Sequence, residues 1–203
     1  TFATGVRNLQ RNEIGEAAEA FESTAQVGSS TMAQKENPVN AENVVSLARI
    51  VRSLVIPAFE NVALWHERDL TNSASERILI PHACVLLDDM LARSAEIFGT
   101  LRVYPERMRA NLEATQGQVM AESVMVALTR KGMGRQEAHK LVREAAMKAR
   151  SEGRHLKEVL KGHKQVKHVL TDMEIEEAMQ PERYVGQSDR IIEAARQSRG
   201  LLM

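Results

Sequence analysis

Apolar residues recur every three or four positions along most of the chain, which is the spacing of one face of an α-helix. The pattern predicts a first helix at 2–22 and a second at 38–64, kinked at Pro57. A third long helix follows a polar turn, is kinked at Pro81 and ends near Thr100. Long, uninterrupted helices of this kind favour an all-α fold.

The second half of the chain repeats the helical spacing in shorter segments that glycine and proline separate. Gly153 is placed to end one of these helices, and Thr171 with Glu174 forms the capping-box pattern that begins another. The change in pattern occurs between Gly99 and Pro105. We therefore predict one domain at 1–102 and a smaller all-helical domain at 103–203.

Composition narrows the class of protein. The chain has 203 residues, of which 43% are hydrophobic and only 3% aromatic, so its core is expected to consist of aliphatic side chains and Met. The chain has 27 basic and 27 acidic residues, so it has no net charge that would attract nucleic acid or a membrane surface. The single Cys84 excludes an internal disulfide. These features predict a soluble, intracellular protein.

Residues 28–38 are a polar stretch that leads directly into the second predicted helix. Asn37 is a suitable N-cap and Pro38 a suitable first helical residue, and the N–H groups of a helix N-terminus attract anions. Lys35 adds a positive charge and Ser29, Ser30 and Thr31 add hydroxyl groups. The residues alone fit either a carboxylate or phosphate pocket or a flexible linker with a helix cap.

A second polar stretch, Trp65 to Arg77, begins the third helix. Ser73 and Arg77 lie one helical turn apart, and Arg68 precedes them in the turn. Two guanidinium groups beside a hydroxyl can bind phosphate, because arginine presents a planar fork of donors. The alternative is a solvated helix face in which neighbouring acidic residues pair with the arginines; those residues are Glu67, Asp69 and Glu76.

The histidines and lysines do not indicate a further kind of site. No His-Glu-x-x-His pattern is present and Cys84 has no cysteine partner, so we predict no metal. A basic stretch around His155, His163 and His168 has no interleaved aromatic residue, so we interpret it as a solvated helical surface and predict no nucleic-acid binding.

The order Gly28, Ser29, Ser30, Met32, Lys35, Asn37 and Pro38 resembles the signature GSSxMPxKxNP of the fumarase/aspartase superfamily, with Ala33 where the pattern has proline. The Trp-His-Glu-Arg-Asp run that begins at Trp65 is similar to a motif of the adenylosuccinate lyases within that superfamily. The strings at 103–108 and 131–133 resemble their third, all-helical domain. The resemblance implies that 1–102 is the end of the central helical bundle and 103–203 the C-terminal domain.

That family releases fumarate from adenylosuccinate, giving AMP, and from the succinylated aminoimidazole carboxamide ribotide of purine synthesis, without a cofactor. The resemblance implies that Ser29 removes the proton next to a carboxylate, that Lys35 assists it and that Glu42 orients a histidine of another chain. It further implies a set of residues that bind the substrate's carboxylate or phosphate groups: Ser30, Thr31, Met32, Asn37, Arg68, Ser73 and Arg77.

The resemblance also carries expectations about the whole protein. Family members are longer, so we expect the chain, which begins at Thr1, to be a C-terminal fragment that is inactive alone. The expected assembly is a cytoplasmic homotetramer with sites shared between subunits, acting on a small-molecule substrate. Two alternatives stay open: argininosuccinate lyase, which shares the glutamine at Gln34, and a non-catalytic helical assembly module.

Overall fold

The computed structural model describes residues 1–20 and 36–199. The chain divides into two compact units, Thr1–Met108 and Arg109–Met203. The described residues are mainly helical, which confirms the all-α prediction. No helix in these two ranges is both long enough and apolar enough to cross a membrane.

The first unit is built on helices that pack side by side, with one short pair of strands. Strands β1 and β2 are antiparallel, and Ala17 is opposite Val103. In chain order the elements are α1 (Phe2–Leu9), β1 (Ala17–Ala18), α2 (Val39–Ser53), α3 (Val55–Glu60), α4 (Ser73–Gly99), β2 (Arg102–Val103) and α5 (Pro105–Glu113), which contains the division between the units.

The core of this unit is small. Residues of α1, α2 and α4 form one cluster of five buried apolar side chains, Ala3, Val6, Ala41, Val44 and Ile97. The rings of Phe2 and Phe98 meet edge to face at its border, with centroids 6.0 Å apart. Because α1, α2 and α4 share this cluster, the start of α2 is held between the other two helices.

The predicted helix at 2–22 is wrong beyond Leu9. The chain turns at Gly15, whose φ of +63° is a left-handed conformation that favours glycine. The backbone then extends into β1, and the Tyr104 N–H donates to the Glu16 carbonyl at 2.9 Å. Helical spacing at 2–22 could not reveal this end, because the partner strand lies more than eighty residues later in the sequence.

The second predicted helix, 38–64, is also divided. α2 ends at Ser53 and α3 begins at Val55. Pro57 lacks the N–H that would bond to Ser53, and its ring clashes with that carbonyl in a continuous helix, so the break precedes the proline. α4, in contrast, continues through Pro81 as predicted.

The second unit has a larger core of its own. Fifteen buried apolar residues form a single cluster, and its fully buried members include Leu128, Leu156, Leu160, Leu170 and Ile175. Apart from two short 3₁₀ turns, its helices are α6 (Ala121–Arg130), α7 (Arg135–Glu152), α8 (Leu156–Gly162), α9 (Lys164–Val169), α10 (Asp172–Ala178) and α11 (Ser188–Arg199).

Two local predictions for this unit are confirmed. Gly153 ends α7 in a left-handed conformation. Thr171 and Glu174 form a capping box at the start of α10, in which the Glu174 N–H donates to Thr171 Oγ1 at 3.2 Å and the Thr171 N–H donates to Glu174 Oε2 at 2.9 Å.

Candidate active site

The residues predicted for the site divide into two sets. The first set lies outside the described residues: Ser29, Ser30, Thr31, Met32 and Lys35. The second set is described and lies in the first unit: Asn37, Glu42, Arg68, Ser73 and Arg77.

Asn37 and Glu42 line a cavity of about 740 Å³ at the start of α2. Arg7 and Gln10 from the first segment of the chain and Tyr104 from the residues after β2 also line it. The wall therefore carries guanidinium, carboxylate and amide groups together. A polar cavity with both signs of charge can bind a small zwitterionic or carboxylate ligand.

The helix N-terminus in this cavity already holds an anion of the chain itself. Glu19 is only 4% exposed, and its two carboxyl oxygens accept hydrogen bonds from the N–H groups of Asn40 and Ala41, each at 3.0 Å. The prediction that these helix N–H groups are available to an external anion is therefore wrong. Asn37 is not the N-cap either: α2 begins one residue later than predicted, with Pro38 at the cap position and no side-chain cap bond.

Gln10 joins the two parts of the chain that meet here. Its side-chain oxygen accepts from the Glu19 N–H at 3.1 Å, and its side-chain nitrogen donates to the Glu36 carbonyl at 3.2 Å. One amide group therefore binds backbone on both sides of residues 21–35. Sequence periodicity missed the roles of both Gln10 and Glu19, because it placed them in a single helix at 2–22.

Glu42 lies in the first turn of α2 and faces Arg7. The Arg7 Nε atom is 3.9 Å from Glu42 Oε1, and both side chains are partly exposed. Arg7 Nε is nevertheless buried and has no hydrogen-bond partner among the described residues. The basic group that lies next to Glu42 in this chain is therefore Arg7, without a hydrogen bond between them.

Asp69 organises the polar turn that precedes α4. Its carboxylate accepts from the Trp65 N–H at 2.9 Å, from the Thr71 N–H at 2.9 Å and from the Thr71 hydroxyl at 2.5 Å. These bonds, led by that of the Thr71 hydroxyl, hold the pKa of Asp69 below its usual value. His66 adopts a φ of +55° in the same turn, an unusual conformation for a residue with a Cβ.

These bonds leave the two arginines of the turn without acidic partners. Asp69 binds backbone and Thr71, and Glu76 accepts from the Asn72 side chain at 3.0 Å. In the described part of the chain, no carboxylate lies within 4.0 Å of the guanidinium of Arg68 or Arg77. The predicted alternative, in which acidic neighbours neutralise them, is not what the described residues form.

The two halves of the predicted site lie far apart within one chain. Arg93, near the end of α4, donates to Asn40 at the start of α2 at 2.9 Å, so the two helices run in opposite directions. Arg77 precedes Arg93 by sixteen residues of the same helix, about 24 Å at 1.5 Å per residue. Glu42 and Arg77 therefore lie toward opposite ends of the helix pair, and one small ligand does not contact both in one chain.

The comparisons with known protein families agree with the sequence motifs. The family model described as the adenylosuccinate lyase C-terminus matches residues 117–195. The adenylosuccinate lyase of Methanothermobacter thermautotrophicus is 48% identical over 192 residues, which are 95% of this chain and 43% of that protein. The one from Pyrococcus abyssi is 49% identical over 192 residues, 95% of this chain and 42% of that protein. The chain thus spans about two fifths of the length of these curated relatives.

Solved structures share the fold. The β-carboxy-cis,cis-muconate cycloisomerase of Acinetobacter calcoaceticus matches with a TM-score of 0.81 and 29% identity, over 97% of this chain and 42% of that one. A fumarate lyase of a Mesorhizobium species matches with a TM-score of 0.79 and 27% identity, over 95% of this chain and 42% of that one. Together with the family model and the relatives, these matches confirm the resemblance read from the motifs: the chain is similar to the C-terminal part of the adenylosuccinate lyases.

Proposed function

We propose that the protein to which this chain belongs is an adenylosuccinate lyase. It eliminates fumarate from adenylosuccinate, giving AMP, and from the succinylated aminoimidazole carboxamide ribotide. The observation that carries this choice of substrate is that the guanidinium groups of Arg68 and Arg77 have no carboxylate partner in the described residues. Arg77 also lies one turn of α4 after Ser73. Both substrates carry a phosphate that such donors bind, whereas argininosuccinate does not.

In the proposed reaction, Ser29 takes the proton from the carbon next to a succinyl carboxylate. The electron pair left on that carbon forms the new double bond of fumarate, and the C–N bonding pair leaves with the nitrogen. A histidine of another chain, oriented by Glu42, protonates that nitrogen. Because serine is a weak base, Ser29 needs activation by its surroundings, and Lys35 is the nearest charged residue in the sequence.

The groups proposed to hold the succinyl carboxylates are Ser30, Thr31, Met32 and Asn37. The N–H groups of Asn40 and Ala41 are excluded from this role, because Glu19 accepts from both. The negative charge that develops on the carboxylate must then be met by side chains and by donors other than the first turn of α2. This requirement makes Lys35 more important for the elimination than the helix dipole.

We propose that the site is assembled from several copies of the chain, in a homotetramer. The separation of about 24 Å between the Glu42 and Arg77 ends of the helix pair supports this, since a ligand that touches both must take them from different chains. The surface of α4 supports it as well. Ile78, Val85 and Leu91 are largely exposed in one chain, and large exposed apolar side chains on one helix are typical of a surface that packs against another chain.

Two further assignments follow from the family. We propose that residues 1–102 form the end of a central helical bundle and that 103–203 form the C-terminal domain, which α5 then begins. We also propose a cytoplasmic location, in keeping with a nucleotide substrate and with the single Cys84.

The test is turnover by the full-length protein. Fumarate and AMP are measured with adenylosuccinate, beside argininosuccinate and 3-carboxy-cis,cis-muconate, and Ser29→Ala is the matched inactive control. Release of fumarate from adenylosuccinate alone, lost in Ser29→Ala, supports the proposal. Turnover of argininosuccinate or lactonisation of the muconate would mean that the protein catalyses a different reaction on the same fold. Turnover of none of the three favours the non-catalytic module.

The isolated 203-residue chain is the second arm of this experiment. In the described residues the partner of Glu42 is Arg7, and the histidine that Glu42 is proposed to orient is not next to it. We therefore expect no fumarate release from the isolated chain. Measurable release by the isolated chain contradicts the proposed sharing of the site with other parts of the protein.

A further inference from the structure

Glu19 is the one charged side chain that is buried in the described parts of the chain, and the proposed reaction does not use it. Burial of a carboxyl group is costly unless hydrogen bonds compensate for the lost water. Here the compensation comes from the N–H groups of Asn40 and Ala41, at the positive end of the α2 dipole. The residue therefore joins β1 to α2 through two bonds.

A simpler cap was available. A side chain at the cap position itself, such as an asparagine or serine, satisfies helix N–H groups without burying a charge. α2 instead has Pro38 at its cap position and takes its acceptor from a residue twenty-one positions earlier than Asn40. The two kinds of cap differ in what they hold in place. A local cap only marks the end of the helix, whereas Glu19 also ties the start of α2 to another part of the chain.

The strand that directly precedes Glu19 is itself held in place. β1 pairs with β2, and the Tyr104 N–H donates to the Glu16 carbonyl at 2.9 Å. Gln10 accepts from the Glu19 N–H at 3.1 Å. The carboxyl group of Glu19 is therefore presented to α2 from a backbone that is hydrogen-bonded on both sides.

The turn of α2 that Glu19 holds is the one that carries site residues. Asn37 lies just before it and Glu42 within it, and both line the cavity of about 740 Å³. We propose that Glu19 is a positioning residue for the elimination, which sets the location of Glu42 and Asn37 by fixing the first turn of α2. This inference rests on the proposed function.

The test compares Glu19→Gln with wild type in the full-length assembled protein. Glutamine has the same size but offers one acceptor and adds a donor, so at least one bond to α2 is lost. We expect kcat to fall about ten- to hundredfold, because a small displacement of a reacting group slows a reaction by this much. KM should rise less, because Asn37 is displaced whereas the positions of Arg68 and Arg77 do not depend on Glu19. We also expect the pH profile of kcat to shift, because Glu42 orients the proton donor, and the amides of Asn40 and Ala41 to exchange hydrogen faster.

The matched control is Glu174→Gln, which removes a glutamate from the start of α10 in the second unit. It weakens a helix N-terminus and removes the ion pair with Lys131, and we expect it to lower the melting temperature with kcat, KM and the pH profile unchanged. Glu19→Asp retains the charge on a shorter side chain and is expected to recover part of kcat. It also replaces Glu19→Gln in every comparison if the latter does not assemble.

The outcomes separate this inference from the function on which it rests. Absence of fumarate release by wild type means that the proposed function fails. Normal wild-type turnover with an unchanged kcat and pH profile in the assembled Glu19 variant overturns the positioning role and leaves Glu19 a structural cap.

Discussion

The two units of the chain differ in where their apolar side chains lie. The second unit buries fifteen apolar residues in one cluster, whereas the corresponding cluster of the first unit has five. The first unit instead exposes large apolar residues along α3 and α4, among them Phe59, Ile78 and Val85. Since burial of a large apolar side chain is worth about 1.5–3 kcal/mol, the second unit obtains more stabilisation from its own core than the first. The exposed apolar side chains of the first unit would add to its stability if the proposed assembly buries them.

This difference is related to function. All the described residues of the proposed site are in the unit with the incomplete core. A site whose parts meet only between chains needs helices whose apolar faces are free to pack against other chains. In the proposed assembly, the exposed apolar surface of α4 and the separation of Glu42 from Arg77 are two consequences of one architecture.

The strongest test of this comparison is a charge on the exposed face of α4. Val85 is 68% exposed in one chain, so Val85→Asp costs little there, but burial of the new carboxylate between chains is prohibitive. We expect the full-length protein to lose its tetrameric mass in light scattering and, with it, all fumarate release. Met173→Asp, at a 71% exposed position of α10, is the control and should retain both. A tetrameric, active Val85→Asp protein contradicts the assignment of this face to an interface.

The complementary test creates a cavity in the core of the second unit by a substitution. Leu160 is fully buried, so Leu160→Ala should lower the free energy of unfolding by about 2–5 kcal/mol in urea denaturation. Because the site residues are in the first unit, kcat at low temperature should not change. Met147→Ala, at an exposed position of α7, should alter the unfolding free energy by no more than about 0.5 kcal/mol. A fall of kcat in proportion to stability would show that the units do not act separately.

The phosphate-binding hypothesis is tested by Arg77→Ala. Hydrogen bonds to charged groups are worth about 1.5–3 kcal/mol, so loss of this guanidinium should raise KM for adenylosuccinate about ten- to hundredfold. Stability should change little, since Arg77 has no ion-pair partner in the described residues. Arg190→Ala, on α11 of the second unit, is the control and should leave KM unchanged. An unaltered KM in Arg77→Ala excludes this residue from phosphate binding.

The sequence was sufficient wherever the cause of a structure is local. The capping box of Thr171 and Glu174, the glycine end of α7 and the long α4 all depend on residues within one or two helical turns. It failed at Leu9 and at the N-terminus of α2, where the deciding partners are β2 and Glu19, far away in the chain. Helical periodicity contains no information on such partners.

The site shows the same division. The motifs identified the types of residue, and the structure then placed Asn37 and Glu42 in one cavity and Arg68, Ser73 and Arg77 toward the other end of the helix pair. That separation depends on the antiparallel packing of α2 and α4, which no motif encodes. The alternative that pairs Asp69 with an arginine is not what the described residues form, and an aspartate two residues before a threonine is a common turn pattern that could have indicated its role.

The smallest expected effect concerns acid. The pKa of Glu174 is lowered from 4.5 to about 2, chiefly by its hydrogen bond with Lys131 and then by those from the Thr171 N–H and hydroxyl. A folded-state pKa below the unfolded value means that the ionised group stabilises the fold. This contribution is complete above pH 4.5 and is lost as the pH falls toward about 2.

The difference in melting temperature between wild type and Glu174→Gln should therefore be present at neutral pH and close over that acid range. Glu144→Gln, at a position of α7 with no capping role, should show no such pH-dependent difference. A difference in melting temperature that stays constant down to pH 2 would mean that the charge of Glu174 contributes nothing to stability and that only the capping geometry matters. Closure of the difference would instead show that the second unit also uses a charge at a helix N-terminus, as α2 does with Glu19. The Glu174 charge is exposed and bonds chiefly to Lys131, whereas the Glu19 charge is buried and bonds to helix N–H groups.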